Sequence, residues 1–126
     1  MILGVGIDLV DVARARKLIA GKGERALARL CTAGEAAYVR AHPSGAPSFA
    51  ARLAAKEAAF KALAGSDEAR AIGWRDIEVE RASDGRPSLR FHGLAQSRAE
   101  TLGVKRVHVT LTHTDTTAGA VVVLEG

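Results

Sequence analysis

Apolar and polar residues alternate along several short runs of the chain, with the two-residue period of half-buried β-strands. The clearest run is Ile77–Glu80, and Asp84–Gly85 after it is a typical hairpin turn. The runs that we predict to be strands are Ile2–Ile7, Ile77–Glu80, Ser88–Phe91, Val104–Leu111 and Ala118–Leu124. Thr112–Thr117 then forms the connection between the last two strands.

Segments of helical character separate these strands. Asp8 ends the first strand and, with Asp11 three residues on, resembles an N-cap and its acidic partner, opening a helix to about Ile19. Gly21 and Gly23 then end that helix. The further predicted helices are Glu24–Leu30, Glu35–Ala41, Ser48–Ala64 and Leu94–Leu102. This order of elements predicts an α+β fold in a single domain, residues 1–126, with the long helix packed on a mostly antiparallel sheet.

The long helix carries a carboxylate on its apolar side. Eight of the sixteen residues from Phe49 to Ala64 are alanine, the best helix former. At about 100° of rotation per residue, Glu57 projects from the same stripe as Leu53 and Phe60. A carboxylate pressed into a core is costly unless a cation, a metal ion or hydrogen-bond donors meet it. We therefore expect a positive partner for Glu57.

Composition limits the class of protein. The chain has 126 residues, of which 48% are hydrophobic, enough for a small core. Its one cysteine, Cys31, cannot form an intramolecular disulfide, which fits a reducing compartment. No apolar run approaches the ~20 residues of a membrane span, and the N-terminus lacks the basic region of a signal peptide. We expect a cytoplasmic protein without a membrane partner.

Basic residues concentrate in one segment. The formal net charge is +4, whereas Val12–Arg40 alone has seven basic and two acidic residues, a net +5. The basic residues are Arg14, Arg16, Lys17, Lys22, Arg25, Arg29 and Arg40. Such a stripe attracts a polyanion, either nucleic acid, a nucleotide or an acidic protein, unless it is an ordinary solvated helix face. A small basic nucleic-acid-binding module is therefore an alternative, although the strands lack the exposed aromatic residues that stack on bases.

Asp8 and Glu57 are candidates for a metal site. If the long helix packs on the sheet, Glu57 points toward Asp8, and two adjacent carboxylates hold a cation or share a proton. Oxygen ligands without His or Cys suit Mg²⁺, which typically takes one or two carboxylates plus substrate phosphates. Structural roles are the alternatives: a helix cap for Asp8, an ion pair between Glu57 and Lys61, and a snorkelling side chain for Lys56. His113 is either a phosphate contact or a surface histidine.

Motifs spread over nearly the whole chain resemble one family. They are GVGIDLVDVARAR at residues 4–16, FAARLAAKEAAFKAL at 49–63, DGRPSL at 84–89 and HVTLTHT at 108–114. In this order and spacing they resemble the holo-acyl-carrier-protein synthases, the small class of 4′-phosphopantetheinyl transferases. Thr110 and Thr112 stand where that family often has serine, and residues 21–48 match it only loosely.

The resemblance implies a function and a set of site residues. Members of the family transfer 4′-phosphopantetheine from coenzyme A to a serine of apo-acyl carrier protein and release adenosine 3′,5′-bisphosphate. It implies that Asp8 and Glu57 are Mg²⁺ ligands and that these two and Lys61 are catalytic. It implies coenzyme A contacts at Lys61, Arg52, Gly85, Arg86, Pro87 and His113, and a carrier-protein contact at Arg14. It also implies a homotrimer with active sites between subunits.

Overall fold

A computed structural model describes residues 1–126 other than Lys22. The strands are β1 (Ile2–Asp11), β2 (Ile77–Arg81), β3 (Pro87–Phe91), β4 (Arg106–His113) and β5 (Thr117–Glu125). The helices are α1 (Val12–Leu30), α2 (Ala33–Ala41), α3 (Ala46–Leu63) and α4 (Gly93–Leu102), with 3₁₀ turns at Glu68–Ala71 and Trp74–Asp76. All strand pairs described are antiparallel, in a sheet of order β1–β5–β4 and a separate β2–β3 hairpin. The predicted α+β class, with a long helix on an antiparallel sheet, is confirmed.

Helix α3 lies unusually close to strand β1. A Cβ atom added to Gly6 would lie 1.8 Å from the carbonyl oxygen of Ala58, and one added to Gly4 would lie 2.2 Å from that of Ala62. Glycine on the strand and alanine on the helix therefore let the two backbones touch. Because side chains on one strand face repeat every second residue, Asp8 points toward α3 from the same face as these glycines.

The first helix begins later than predicted. Strand β1 continues to Asp11, so Asp8 lies within the strand and the predicted helix cap at Asp8 is wrong. The pairing of β1 with β5 is continuous from Gly4 to Asp11, and these ladder bonds outweigh the local capping pattern. Helix α1 also runs through Gly21 and breaks at Gly23, whose φ of 42° and ψ of −114° are non-helical.

The buried charge on α3 is not the one that the helical stripe predicted. The stripe faces the core only in its N-terminal half: Phe49 and Leu53 are buried, whereas Glu57 is half buried and Phe60 is 37% exposed. Lys56 is buried instead, which makes its predicted snorkelling role wrong. Its Nζ atom donates hydrogen bonds to Oε1 of Glu35 at 2.7 Å and to the backbone carbonyls of Trp74 and Ile77 at 2.8 and 2.7 Å. The lysine thereby joins α3 to α2 and β2.

Helix α4 supports the end of α3. Nε of Arg98 donates to the carbonyl of Leu63 at 2.8 Å, and Nη2 donates to that of Ala64 at 3.1 Å. These carbonyls have no partner within a helix that ends there, so the guanidinium satisfies them. Among the described residues no helix is both long and apolar enough to cross a membrane.

Candidate active site

Strand β1 and helix α3 bring Asp8 and Lys61 into contact. Nζ of Lys61 donates to Oδ1 of Asp8 and to the carbonyl oxygen of Ile7, both at 2.9 Å. The Asp8 side chain is 12% exposed, whereas that of Lys61 is 54% exposed. The ion pair of Lys61 is thus with Asp8 on the strand and not with Glu57 four residues earlier on its own helix.

Glu57 lies beside Asp8. Burial, a hydrogen bond to Asp8 and the charge of Asp8 together raise the pKa of Glu57 to about 7, against the opposing charges of Arg14 and Lys61. Burial also acts to raise the pKa of Asp8, but hydrogen bonds with Glu57 and Lys61 outweigh it and lower that pKa. Two neighbouring carboxylates titrate as a pair in this way. Glu57 is therefore the carboxylate of the pair that takes up a proton first as pH falls.

The geometry suits a hard divalent cation. Oδ2 of Asp8 is buried and has no hydrogen-bond partner among the described residues. A buried carboxylate oxygen that accepts no hydrogen bond from the protein is a suitable ligand for a water molecule or a cation. Residues 1–21 and 23–126 contain no group of three or more His, Cys, Asp and Glu side chains that could hold a metal ion by themselves. Two carboxylates completed by substrate phosphates are the arrangement that Mg²⁺ prefers.

A cavity of about 380 Å³ opens beside this pair, and we call it the Glu57 cavity. Its lining includes Glu57, Lys61 and Arg70 together with the apolar side chains of Phe60, Ile72, Trp74 and Ile77. The lining therefore combines charged groups with hydrophobic walls. A ligand with a charged end and a less polar extension fits such a cavity.

A second concave surface lies along α1, and we call it the arginine groove. It is lined by Arg14, Leu18, Arg25, Ala26, Arg29, Leu30, Leu53 and Trp74. Arg14 also acts on Glu57 electrostatically, so one end of the groove lies near the carboxylates. Of the other basic residues predicted to form the stripe, Arg40 is engaged with Glu24 and Lys22 lies outside the described residues.

The remaining predicted coenzyme A contacts lie away from the Glu57 cavity. Gly85, Arg86 and Pro87 lie at the β2–β3 turn, where Gly85 has a φ of +86° and the N–H of Arg86 donates to Asp84. His113 is exposed at the end of β4. These residues do not appear in the lining of the Glu57 cavity.

Arg52 is buried beneath an aromatic ring. Its guanidinium carbon lies 3.8 Å from the centre of the Tyr38 ring, a cation–π contact. Burial lowers the pKa of Arg52, while its contacts with Tyr38 oppose that effect. Its Nε and Nη1 atoms have no hydrogen-bond partner among the residues that the structure describes.

Sequence reasoning missed Trp74 and Phe60 as site residues. Both line the Glu57 cavity, and Trp74 also lines the arginine groove. Trp74 is the only tryptophan of the chain, which was the one signal that could have singled it out. For Phe60 the sequence pattern was misleading, because the position of this residue on the apolar stripe predicted that it would be buried.

Comparisons with known proteins give a consistent result. A family model described as the 4′-phosphopantetheinyl transferase superfamily matches residues 4–121. The holo-[acyl-carrier-protein] synthase of Anaeromyxobacter sp. (strain K) is 51% identical over all of this chain and 98% of that relative. The crystal structure of the holo-[acyl-carrier-protein] synthase of Neisseria meningitidis superposes with a TM-score of 0.85 at 26% identity, covering both chains fully. The Bacillus anthracis holo-(acyl-carrier-protein) synthase in complex with coenzyme A (3′,5′-ADP) has a TM-score of 0.78 at 28% identity, over 98% of this chain and 96% of that one.

Proposed function

The chain belongs to the 4′-phosphopantetheinyl transferase superfamily, and we propose that Asp8, Glu57 and Lys61 form the centre of its transfer reaction. It is a 4′-phosphopantetheinyl transferase that moves the 4′-phosphopantetheine group of coenzyme A to a serine of apo-acyl carrier protein. The observation that carries the site assignment is the juxtaposition of Asp8, Lys61 and Glu57 beside one cavity. A nucleic-acid-binding module is set aside as the main function, because the family is one of transferases.

We assign Asp8 and Glu57 as ligands of Mg²⁺. The buried Oδ2 atom of Asp8, which accepts no hydrogen bond among the described residues, and the neighbouring Glu57 carboxylate are oxygen ligands of the kind that suit Mg²⁺. When bound, the ion would neutralise charge on the pyrophosphate of coenzyme A. Lys61 holds Asp8 in place through Oδ1 and leaves Oδ2 free for the ion.

Lys61 has a second role in this proposal. Its side chain is half exposed and lines the Glu57 cavity, so its ammonium can move from the Asp8 carboxylate toward a phosphate. A positive charge there stabilises the negative charge that develops on the leaving phosphate. As the serine oxygen attacks the β-phosphorus, the P–O bond to the leaving adenosine 3′,5′-bisphosphate breaks, and the serine proton passes through a water molecule to one of the two carboxylates.

The arginine groove is our candidate docking surface for acyl carrier protein. Arg14, Arg25 and Arg29 line it, and Arg14 lies close enough to affect Glu57. Acyl carrier protein is acidic, so opposite charges would speed encounter in a salt-dependent manner. A serine delivered along the groove would arrive beside the carboxylates.

We propose that the protein is a homotrimer with active sites between subunits. The outer face of β1 exposes Val5, Ile7 and Leu9 at 60%, 61% and 69%. Val123 and Val121 on β5 pair with the first two of these, which widens the apolar surface. A contiguous apolar face of this kind is typical of an interface. An assembly would also explain why Gly85, Arg86, Pro87 and His113 do not line the Glu57 cavity of their own chain: they would serve a neighbouring copy.

We place the reaction in the cytoplasm. Cys31 is free and buried, and burial raises the pKa of its thiol to about 11. Such a cysteine is protected as a thiol and needs no oxidising compartment.

Mass spectrometry of apo-acyl carrier protein tests the proposal. The carrier is incubated with coenzyme A and the protein, with Mg²⁺ or with a chelator. A gain of the phosphopantetheine mass is expected with Mg²⁺ and not with the chelator. The same gain at the same rate from a Glu57→Gln variant would contradict the metal-site assignment, and no gain with any divalent ion would contradict the function.

A further inference from the structure

Trp74 occupies a position where two concave surfaces meet. Its side chain lines both the Glu57 cavity and the arginine groove. If the donor's phosphates lie at Glu57 and Lys61 and the carrier lies along the groove, the indole stands where donor and acceptor approach each other. This argument rests on the proposed function.

The backbone around Trp74 is held firmly. The buried Nζ of Lys56 binds the carbonyl oxygen of Trp74 from inside the protein. Oδ2 of Asp76 accepts the N–H of Gly73, and the carbonyl of Asp76 accepts the N–H of His92 at 2.7 Å. The 3₁₀ turn is therefore anchored at both ends. The backbone that carries the indole is therefore preorganised, so that a ligand packing against this residue has to order little of the protein.

The chemistry of the Glu57 cavity distinguishes between the two halves of coenzyme A. Phe60, Ile72 and Ile77 complete its apolar walls with Trp74. The adenosine 3′,5′-bisphosphate half carries phosphates that need cations, whereas the pantetheine arm is an uncharged chain of methylene, methyl and amide groups. The apolar walls suit the arm, and the amide planes of the arm can stack on the indole.

The charged groups around the cavity also favour the pantetheine arm over the adenosine 3′,5′-bisphosphate half of coenzyme A. The ammonium of Lys56 is fully used by Glu35 and two carbonyls. Lys61 stands at the carboxylate side, where the pyrophosphate would lie. Arg70 faces solvent, with an 85% exposed side chain 3.9 Å from Asp67. The volume of about 380 Å³ is also within the range of small-molecule sites.

We propose that Trp74 and Phe60 form the walls of a subsite for the pantetheine arm, and that Trp74 is a specificity-determining residue of the transfer. The subsite binds the arm of coenzyme A between the two rings and directs its phosphate end toward Glu57 and Lys61. Substitution of Trp74 then weakens binding of ligands that possess the arm and spares ligands that lack it.

The fluorescence of the single tryptophan provides a test without any substitution. The parent protein is titrated with coenzyme A and separately with adenosine 3′,5′-bisphosphate, which lacks the arm, while Trp74 emission is recorded. Coenzyme A should change the intensity or the wavelength of the emission, and the bisphosphate should leave both unchanged. Equal changes with both ligands would assign the indole to the nucleotide and overturn the proposal.

Calorimetry of variants provides the quantitative test. Trp74→Ala should weaken coenzyme A binding about tenfold and change bisphosphate binding by less than about twofold. Trp74→Phe, which retains an aromatic wall and guards against a folding defect, should recover most of the affinity. Leu94→Ala, at an exposed apolar residue on α4, is the matched control and should bind like the parent protein.

The outcomes separate this proposal from the proposed function. If the parent protein does not bind coenzyme A, the proposed function fails, and this proposal fails with it. A second outcome is that the parent protein binds coenzyme A while Trp74→Ala and Trp74→Phe weaken the binding of coenzyme A and of the bisphosphate equally, or weaken neither. In that case the arm subsite fails and the transferase assignment stands.

Discussion

The Nζ atom of Lys56 lies 2.7 Å from Oε1 of Glu35, and both side chains are 1% exposed. Glu35 also accepts the N–H of Val79 at 2.8 Å and that of Thr32 at 2.9 Å, and so caps α2. Each member of the pair is fully hydrogen-bonded, as a buried ion pair must be to offset its desolvation. The pair ties the helix that carries Glu57 to the elements on the far side of the Glu57 cavity.

Removing one member of this pair should destabilise the protein strongly. Lys56→Met leaves the Glu35 carboxylate buried without its cation, and we expect a loss of about 3–5 kcal/mol in the free energy of unfolding. Urea denaturation measures the loss. The double variant Lys56→Met with Glu35→Gln should recover part of it, because no buried charge remains. A single variant as stable as the parent would contradict this account.

The close contact between β1 and α3 gives a second prediction. Gly6→Ala places a methyl group against the carbonyl of Ala58, so the strand must move away from the helix. We expect a destabilisation of more than about 3 kcal/mol and loss of transfer activity, since Asp8 shifts with the strand. Gly21→Ala is the control: a Cβ there meets nothing within 4 Å, and the change should stabilise α1 by up to about 1 kcal/mol. Thermal unfolding distinguishes the two variants.

The sequence predicted which residues of the proposed site lie together better than it predicted their surroundings. The motifs at residues 4–16 and 49–63 correctly paired Asp8 with Glu57 and Lys61. The local pattern at Asp8 and Asp11 is compatible with a helix cap. These residues form a strand because β1 pairs with β5, a segment more than one hundred residues later in the chain. A one-dimensional pattern cannot reveal such a partner.

The buried charge on α3 shows the same limit of prediction from sequence. A helical wheel predicts which residues share a face but not which face meets the core. Lys56 is buried because its partner Glu35, twenty-one residues earlier, folds back onto α3. Phe60 is exposed because a cavity adjoins it. Both facts depend on tertiary contacts between segments that the sequence separates.

Glu57→Gln should abolish transfer while the fold remains intact. The amide cannot supply the negative charge that the metal ion requires, and we expect the rate to fall by about 100-fold or more. The rate of carrier modification at saturating Mg²⁺ measures the effect. Glu68→Gln, at an acidic residue in the 3₁₀ turn that follows α3, is a control that should retain the parent rate. A Glu57→Gln enzyme that works at that rate would rule out a metal-ligand role.

The stability of the metal-free protein should depend on pH through Glu57. Its pKa is about 7 in the folded state, above the ordinary 4.5, so the folded state binds the proton more tightly. Stability contributed by the protonated form is therefore full below about pH 4.5 and falls as pH rises toward 7. Because the group is partly exposed, the loss should be only about 1 kcal/mol. Chemical denaturation from pH 5 to 8 should show this fall in the parent and not in Glu57→Gln, and identical profiles would contradict it.

The exposed apolar face of β1 gives the last prediction. Val5→Lys places an ammonium in the middle of the proposed subunit interface, where burial of a charge is costly. Light scattering should give three times the 13.2 kDa of one chain for the parent and the mass of a single chain for the variant. Leu94→Lys adds the same charge at another exposed apolar position and should leave the trimer intact. Because sites between subunits need their neighbours, Val5→Lys should also lose transfer activity, although it leaves Asp8, Glu57 and Lys61 untouched. A Val5→Lys monomer with full activity would instead place the complete site within one chain.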